Sequence, residues 1–238
     1  MLKAALQLFV ESVKRRGLIL TTRHAVSRVA YFVRDSTPER RRARFGDLDF
    51  DLENSVDTTS ARQSLRTRLR GLLSASEYQA TDPETFREMM AALPLTLEAF
   101  TFLELGSGKG RAVLLASEYP FARIVGVEVL PELDAIARQN LDRFPRLRQR
   151  CSNIELRCGD ARDFQFPAEP SVVYLFNPFP ELVLQDVIAN LKASLPQAPR
   201  PLFIVYYNPI LRELFDRQPW LQRIQETERW LIYRSAQI

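Results

Sequence analysis

Apolar positions recur at helical spacing in the first part of the chain. Further on they gather into short continuous runs separated by helical stretches. Leu2, Ala5, Leu6, Phe9 and Val13 fall on one helical face, with Gly17 as a stop. Val26, Val29, Ala30 and Val33 make a second such face, so residues 1–34 predict two helices. Residues 35–60 are charged and turn-rich. There Asp47, Asp49, Asp51 and Glu53 alternate with Leu48, Phe50 and Leu52, which predicts a half-exposed strand or an extended loop. The acidic spacing is not that of a calcium loop, because the glycine needed at its sixth position is absent. Arg62–Leu73 predicts a helix with a basic face. A further helix is predicted from Pro83 to about Leu93, with Thr81 or Asp82 as cap and Pro94 as stop.

From Thr101 strands and helices alternate. Thr101–Leu105 is a short apolar run closed by glycine, as expected of a parallel strand buried on both faces. Further strands are predicted at Arg123–Val127, Asn153–Arg157, Ser171–Phe176 and Pro201–Tyr206. Helices are predicted at Pro131–Leu141, Glu181–Leu195 and around Ile210–Phe215. Gln222–Glu226 and Arg229–Arg234 are joined too closely for a crossover and must form an antiparallel pair. The fold class is therefore α/β: a doubly wound, mostly parallel Rossmann-like sheet with a C-terminal antiparallel strand pair and a helical N-terminal extension. Residues 1–75 are assigned to that extension and residues 76–238 to the sheet domain.

Composition narrows the chemistry. The chain has 238 residues, 46% hydrophobic and 26% charged, typical of a globular protein with a sizeable core. No apolar run approaches the roughly 18 residues of a membrane span. Cys151 and Cys158 do not make a disulfide framework, and free thiols suit a reducing cytoplasm. His24 is the only histidine, which disfavours histidine triads and most zinc sites. The net charge of +4 is uneven: residues 1–80 hold 15 Lys and Arg against 9 Asp and Glu. This basic excess is either a solvated face or a contact for an acidic partner, nucleic acid or membrane.

In a doubly wound sheet the carboxyl ends of the strands gather along one edge, where ligands bind. Here those ends carry Glu104-Leu-Gly106-Ser107-Gly108-Lys-Gly110, Glu128, Gly159-Asp160-Ala161 and Asn177-Pro178-Phe179-Pro180. Nicotinamide dehydrogenases prefer Gly-x-Gly-x-x-Gly, and this chain has Gly-x-Gly-x-Gly. In order and spacing the segments resemble the four motifs of class I S-adenosylmethionine-dependent methyltransferases, over roughly Tyr78 to the C-terminus. More narrowly, the chain is similar to bacterial members with Asn-Pro-Phe in the fourth motif.

The resemblance implies S-adenosyl-L-methionine as cofactor. Glu104 would lie near its cationic methionyl end, with Gly106, Ser107 and Gly108 in backbone approach. Glu128 would accept the ribose hydroxyls. Asp160 and Ala161 would meet the adenine, although Asp160 also reads as a helix cap. Tyr78 and Thr81 would either cover the cofactor or form a capping turn. Asn177, Pro178 and Phe179 would form the catalytic loop, with Asn177 also touching the cofactor. Relatives that methylate amino nitrogens commonly carry Asp/Asn-Pro-Pro-aromatic, and this chain has one proline fewer. The implied activity is methyl transfer to an amine nitrogen, on a protein lysine or a small molecule. Tyr207 and Asn208 would border the acceptor pocket. The rival expectation is a non-catalytic Rossmann-like module whose basic N-terminal region contacts nucleic acid or membrane.

Overall fold

The computed structural model describes residues 48–59 and 80–236. The helices expected within residues 1–34 and at Arg62–Leu73, and the cofactor contact expected at Tyr78, lie outside the described residues. Six helices are described: α1 Leu48–Asn54, α2 Pro83–Ala91, α3 Arg111–Ser117, α4 Pro131–Arg143, α5 Glu181–Gln197 and α6 Glu213–Asp216. The strands are β1 Thr101–Leu105, β2 Arg123–Glu128, β3 Ile154–Cys158, β4 Ser171–Phe176, β5 Leu202–Tyr207, β6 Leu221–Glu226 and β7 Trp230–Ser235.

They form one seven-stranded sheet in the order β3-β2-β1-β4-β5-β7-β6. The first five strands pair in parallel, and β7 is antiparallel to both β5 and β6. The strand order reverses between β1 and β4, and such a switch point opens a crevice at the carboxyl ends. β6 forms one border of the sheet and carries an irregularity between Arg223 and Gln225.

The strand positions follow from burial. Every residue of β1 is buried, and β2 and β4 are nearly so, which explains their continuous apolar runs. On one face Phe102 and Tyr174 of the sheet share a core with Phe86 of α2, Val113 of α3 and Ala137 of α4. The other packs Leu103, Val173 and Ile204 under Leu184, Ile188 and Leu191 of α5. In α2 the cap is Asp82, whose carboxylate accepts the Thr85 amide at 2.8 Å, with Pro83 in the first turn.

Residues 48–53 correct the sequence expectation, because Leu48–Asn54 is a helix, and Asp47 lies outside the described residues. Its inward positions are Phe50, Asp51 and Asn54, at i, i+1 and i+4, whereas Leu52 is 74% exposed. The period of two was an accident of composition. Two of the inward residues are polar, and Asp51 is accommodated by partners from elsewhere in the chain.

Candidate active site

β1 ends in Gly106–Gly110, and three glycines there take positive φ: Gly106 at 83°, Gly108 at 53° and Gly110 at 83°. Only glycine adopts such angles without strain. The Gly106 and Ser107 amides donate to the Val127 carbonyl at 2.8 and 2.9 Å, which ties the loop to the end of β2. Gly110 lies against α4: a Cβ there would stand 3.2 Å from Ala137 Cβ.

Glu128, at the end of β2, is buried and braces this loop. Its Oε2 accepts the Gly108 amide at 2.7 Å and its Oε1 accepts the Leu130 amide at 2.9 Å. Burial pushes its carboxyl above the usual range, and the backbone hydrogen bonds pull the other way. Each carboxylate oxygen has two acceptor sites, so capacity remains for two ligand hydroxyls.

Glu104 lies on β1 in register with Gly126 and Tyr174. Its Oε2 accepts the Val113 amide at 3.1 Å. Burial holds its carboxyl well above the usual range, and the nearby Glu128 adds to the shift. A buried carboxylate of this kind gains from a cation placed beside it.

Asp160 follows β3. It caps the short turn Ala161–Asp163 by accepting the Arg162 amide at 2.9 Å, and it also pairs with the Arg162 guanidinium. That pairing holds its carboxyl below the usual range. Asp160 therefore caps a turn, one of the two roles its position allowed. Its neighbour Gly159 donates to the Glu128 carbonyl at 2.9 Å, which joins the β2 and β3 ends.

Asn177-Pro178-Phe179, after β4, meets the glycine loop directly. A Cβ built on Gly106 would fall 2.5 Å from Pro178 Cβ and 3.7 Å from the Phe179 ring. Asn177 has φ 43°, and Asn208, one strand over, has φ 49°. Asparagine tolerates this left-handed region better than other side chains. Asn177 Oδ1 accepts the Tyr206 hydroxyl at 3.3 Å. Burial pushes that hydroxyl up to about 12, so it keeps its proton at neutral pH. The rings of Phe176 and Tyr207 stack at 4.2 Å beside the same loop. Thr81 is buried and shares a 2.9 Å hydrogen bond with the Tyr174 hydroxyl. The structure thus brings Gly106, Ser107, Gly108, Glu128 and Gly159 together, with Pro178 and Phe179 against them.

Sequence reasoning passed over Lys109 and Arg111, each only 1% exposed. Lys109 Nζ reaches Asp57 Oδ1 at 2.9 Å and the Thr59 carbonyl at 2.8 Å. Arg111 Nη2 reaches Asp51 Oδ1 at 3.1 Å, and its Nε donates to Thr58 Oγ1. Two cations inside an otherwise apolar and glycine-rich motif were the available signal.

Residues 102–197 match the family model described as a methyltransferase domain. The matched stretch runs from β1 through α5 and carries the glycine loop, Glu128, Asp160 and the Asn177–Phe179 loop, within a Rossmann-like sheet that ends in an antiparallel β7. Among solved structures, an RNA methyltransferase from Salinibacter ruber in complex with S-adenosyl-L-homocysteine is 23% identical. That match covers 65% of this chain and 91% of the other, with a TM-score of 0.45. The glycopeptide N-methyltransferase MtfA complexed with S-adenosyl-L-methionine is 12% identical, covering 68% and 89%, with a TM-score of 0.49. A ribosomal protein L11 methylase from Lactobacillus delbrueckii subsp. bulgaricus is 14% identical, covering 69% and 81%, with a TM-score of 0.44. No curated protein matches the chain. Among the described residues, no helix is long and apolar enough to cross a membrane.

Proposed function

We propose that this protein transfers a methyl group from S-adenosylmethionine to an amine nitrogen, on a protein lysine or a small molecule. The observation that carries the reading is the contact of Gly106 with Pro178 and Phe179. It sets the cofactor loop against the loop that would hold the acceptor, and a methyl transfer needs its two substrates in line. Residues 76–238 would carry both sites, and residues 1–75 would form an extension.

In this reading the Gly106–Gly108 backbone approaches the cofactor. Glu104 offers its buried carboxylate to the cationic methionyl end, and Glu128 uses its remaining lone pairs for the ribose hydroxyls. Asp160 and Ala161 border the adenine, and Thr81, fixed by Tyr174, closes the near side. The Pro178 carbonyl accepts from the acceptor nitrogen and so aims its lone pair. Phe179 offers a ring face to an ammonium or alkylated amine. Bound there, S-adenosylmethionine would supply a methyl group for direct transfer to that nitrogen, with S-adenosylhomocysteine as the by-product and one proton lost to solvent. The sulfonium already activates the methyl group, so proximity and orientation can supply roughly 7–11 kcal/mol without an imidazole base. The free thiols Cys151 and Cys158 fit work in a reducing cytoplasm.

The test is incubation with methyl-labelled S-adenosylmethionine and cell lysate, then location of the label by mass spectrometry. Label on nitrogen is the expected result. Label on oxygen or carbon removes the nitrogen assignment, and failure to bind either cofactor form removes the whole reading.

A further inference from the structure

The glycine loop is poorly equipped to hold its own shape. Three glycines with positive φ surround Ser107 and Lys109, and each glycine loses much conformational freedom when ordered. Beside Glu128 and Asn140, the residues that restrain the loop's second half come from far upstream. Lys109 Nζ is clasped by Asp57 at 2.9 Å and by the Thr59 carbonyl at 2.8 Å. Asn140 of α4 joins the two segments at backbone level. It accepts the Asp57 amide at 2.8 Å and donates to both the Asp57 and Lys109 carbonyls at 2.9 Å. Arg111, at the start of α3, pairs with Asp51 and lies 4.2 Å above the Phe50 ring. Asp51 in turn accepts the Thr58 and Thr59 amides at 2.9 Å, which folds the upstream segment onto itself. At its other end, Asn54 accepts from Arg148 at 2.7 Å.

We propose that residues 51–59 form a strap that sets the cofactor loop. Asp57 acts through Lys109, and Asp51 with Thr58 acts through Arg111, to hold Gly106–Gly110 in its binding conformation. Cofactor affinity then depends on carboxylates that do not line the cofactor site. These are positioning residues, and they rest on the reading that Gly106–Gly110 receives S-adenosylmethionine. The strap must also feel the ligand, because coupling between two sites is reciprocal.

The experiment uses the full chain and S-adenosylhomocysteine as probe. Calorimetric titration compares the unaltered protein with Asp57→Asn and with Ile188→Ala, a core truncation on the opposite face of the sheet. The expected result is at least a tenfold loss of affinity in Asp57→Asn, and less than a twofold change in Ile188→Ala at a similar loss of thermal stability. The unaltered protein provides a second readout in case Asp57→Asn does not fold. Hydrogen exchange at the Asp57, Thr58 and Thr59 amides should slow several-fold on saturation with the probe. Unchanged affinity in Asp57→Asn, or unchanged exchange at those amides under saturation, overturns the strap while leaving the methyltransferase reading intact. Absence of binding by the unaltered protein overturns both.

Discussion

The two loops that meet at the crevice are held very differently. Gly106–Gly110 is anchored to Val127, to Glu128 and, through Lys109, to Asp57 and Asn140. Asn177–Phe179 is half-buried, and its described side-chain hydrogen bond is the 3.3 Å contact from Tyr206 to Asn177. The difference matches the proposed roles. A cofactor that is the same in every turnover favours a loop ordered in advance, because ordering before binding lowers the cost at binding. An acceptor loop lightly held can adjust to what enters.

The comparison can be broken most severely at Arg111. Arg111→Ala strips Asp51 of its buried cationic partner, and removing one member of such a pair costs about 3–5 kcal/mol. Chemical denaturation should register that loss, and a variant unfolding at the parental midpoint would show the bracing to be superficial. Next comes Gly106→Ala, which places a methyl group 2.5 Å from Pro178 Cβ at φ 83°. One loop must retreat. A displacement near 1 Å at a reacting centre costs about a hundredfold in rate, so kcat/KM should fall by that order while the sheet stays folded.

A smaller effect is expected in the lightly held loop. Tyr206→Phe removes the donor to Asn177, and a neutral hydrogen bond contributes about 0.5–1.5 kcal/mol. Turnover should drop by up to about tenfold, with S-adenosylhomocysteine affinity unchanged; a loss confined to cofactor binding would reverse the assignment of the two loops. The smallest change is Glu104→Gln, where stability and binding should move in opposite directions. Burial raises this carboxyl's folded-state pKa, so the native state holds its proton more tightly than the unfolded chain. The stability this contributes is fully present below the unfolded pKa and is lost as pH rises through the folded one. The glutamine variant should therefore melt higher than the parent at pH 8, by a margin that shrinks on acidification, and should bind the cationic cofactor more weakly. Melting curves at several pH values, paired with titration, check both halves.

The βα units were legible in the sequence because β1, β2 and β4 are buried on both faces and admit few polar residues. Their glycine and acidic endings were legible for the same reason, as abrupt breaks in apolar runs. The strap was not. Its inward side carries Asp51 and Asn54, its outward side carries Leu52, and periodicity reads such a segment inside out. Its partners stand 52 and 60 positions away, for Asp57 with Lys109 and Asp51 with Arg111. Nothing local in either segment announces the other. The capping role of Asp160 was legible as one of its two readings, and the Arg162 amide, two residues on, takes it up.

The placement of β7 between β5 and β6 has a consequence for how the molecule meets copies of itself. It leaves the outermost strand at that border to an irregular segment whose exposed positions are Gln222, Arg223, Gln225 and Glu226. A rim of alternating charge and amide with a local kink is a poor template for a neighbouring chain's backbone, whereas a long flat apolar rim invites one. The C-terminal hairpin thus finishes one border of the sheet and makes that border a poor site for strand addition by a neighbouring chain.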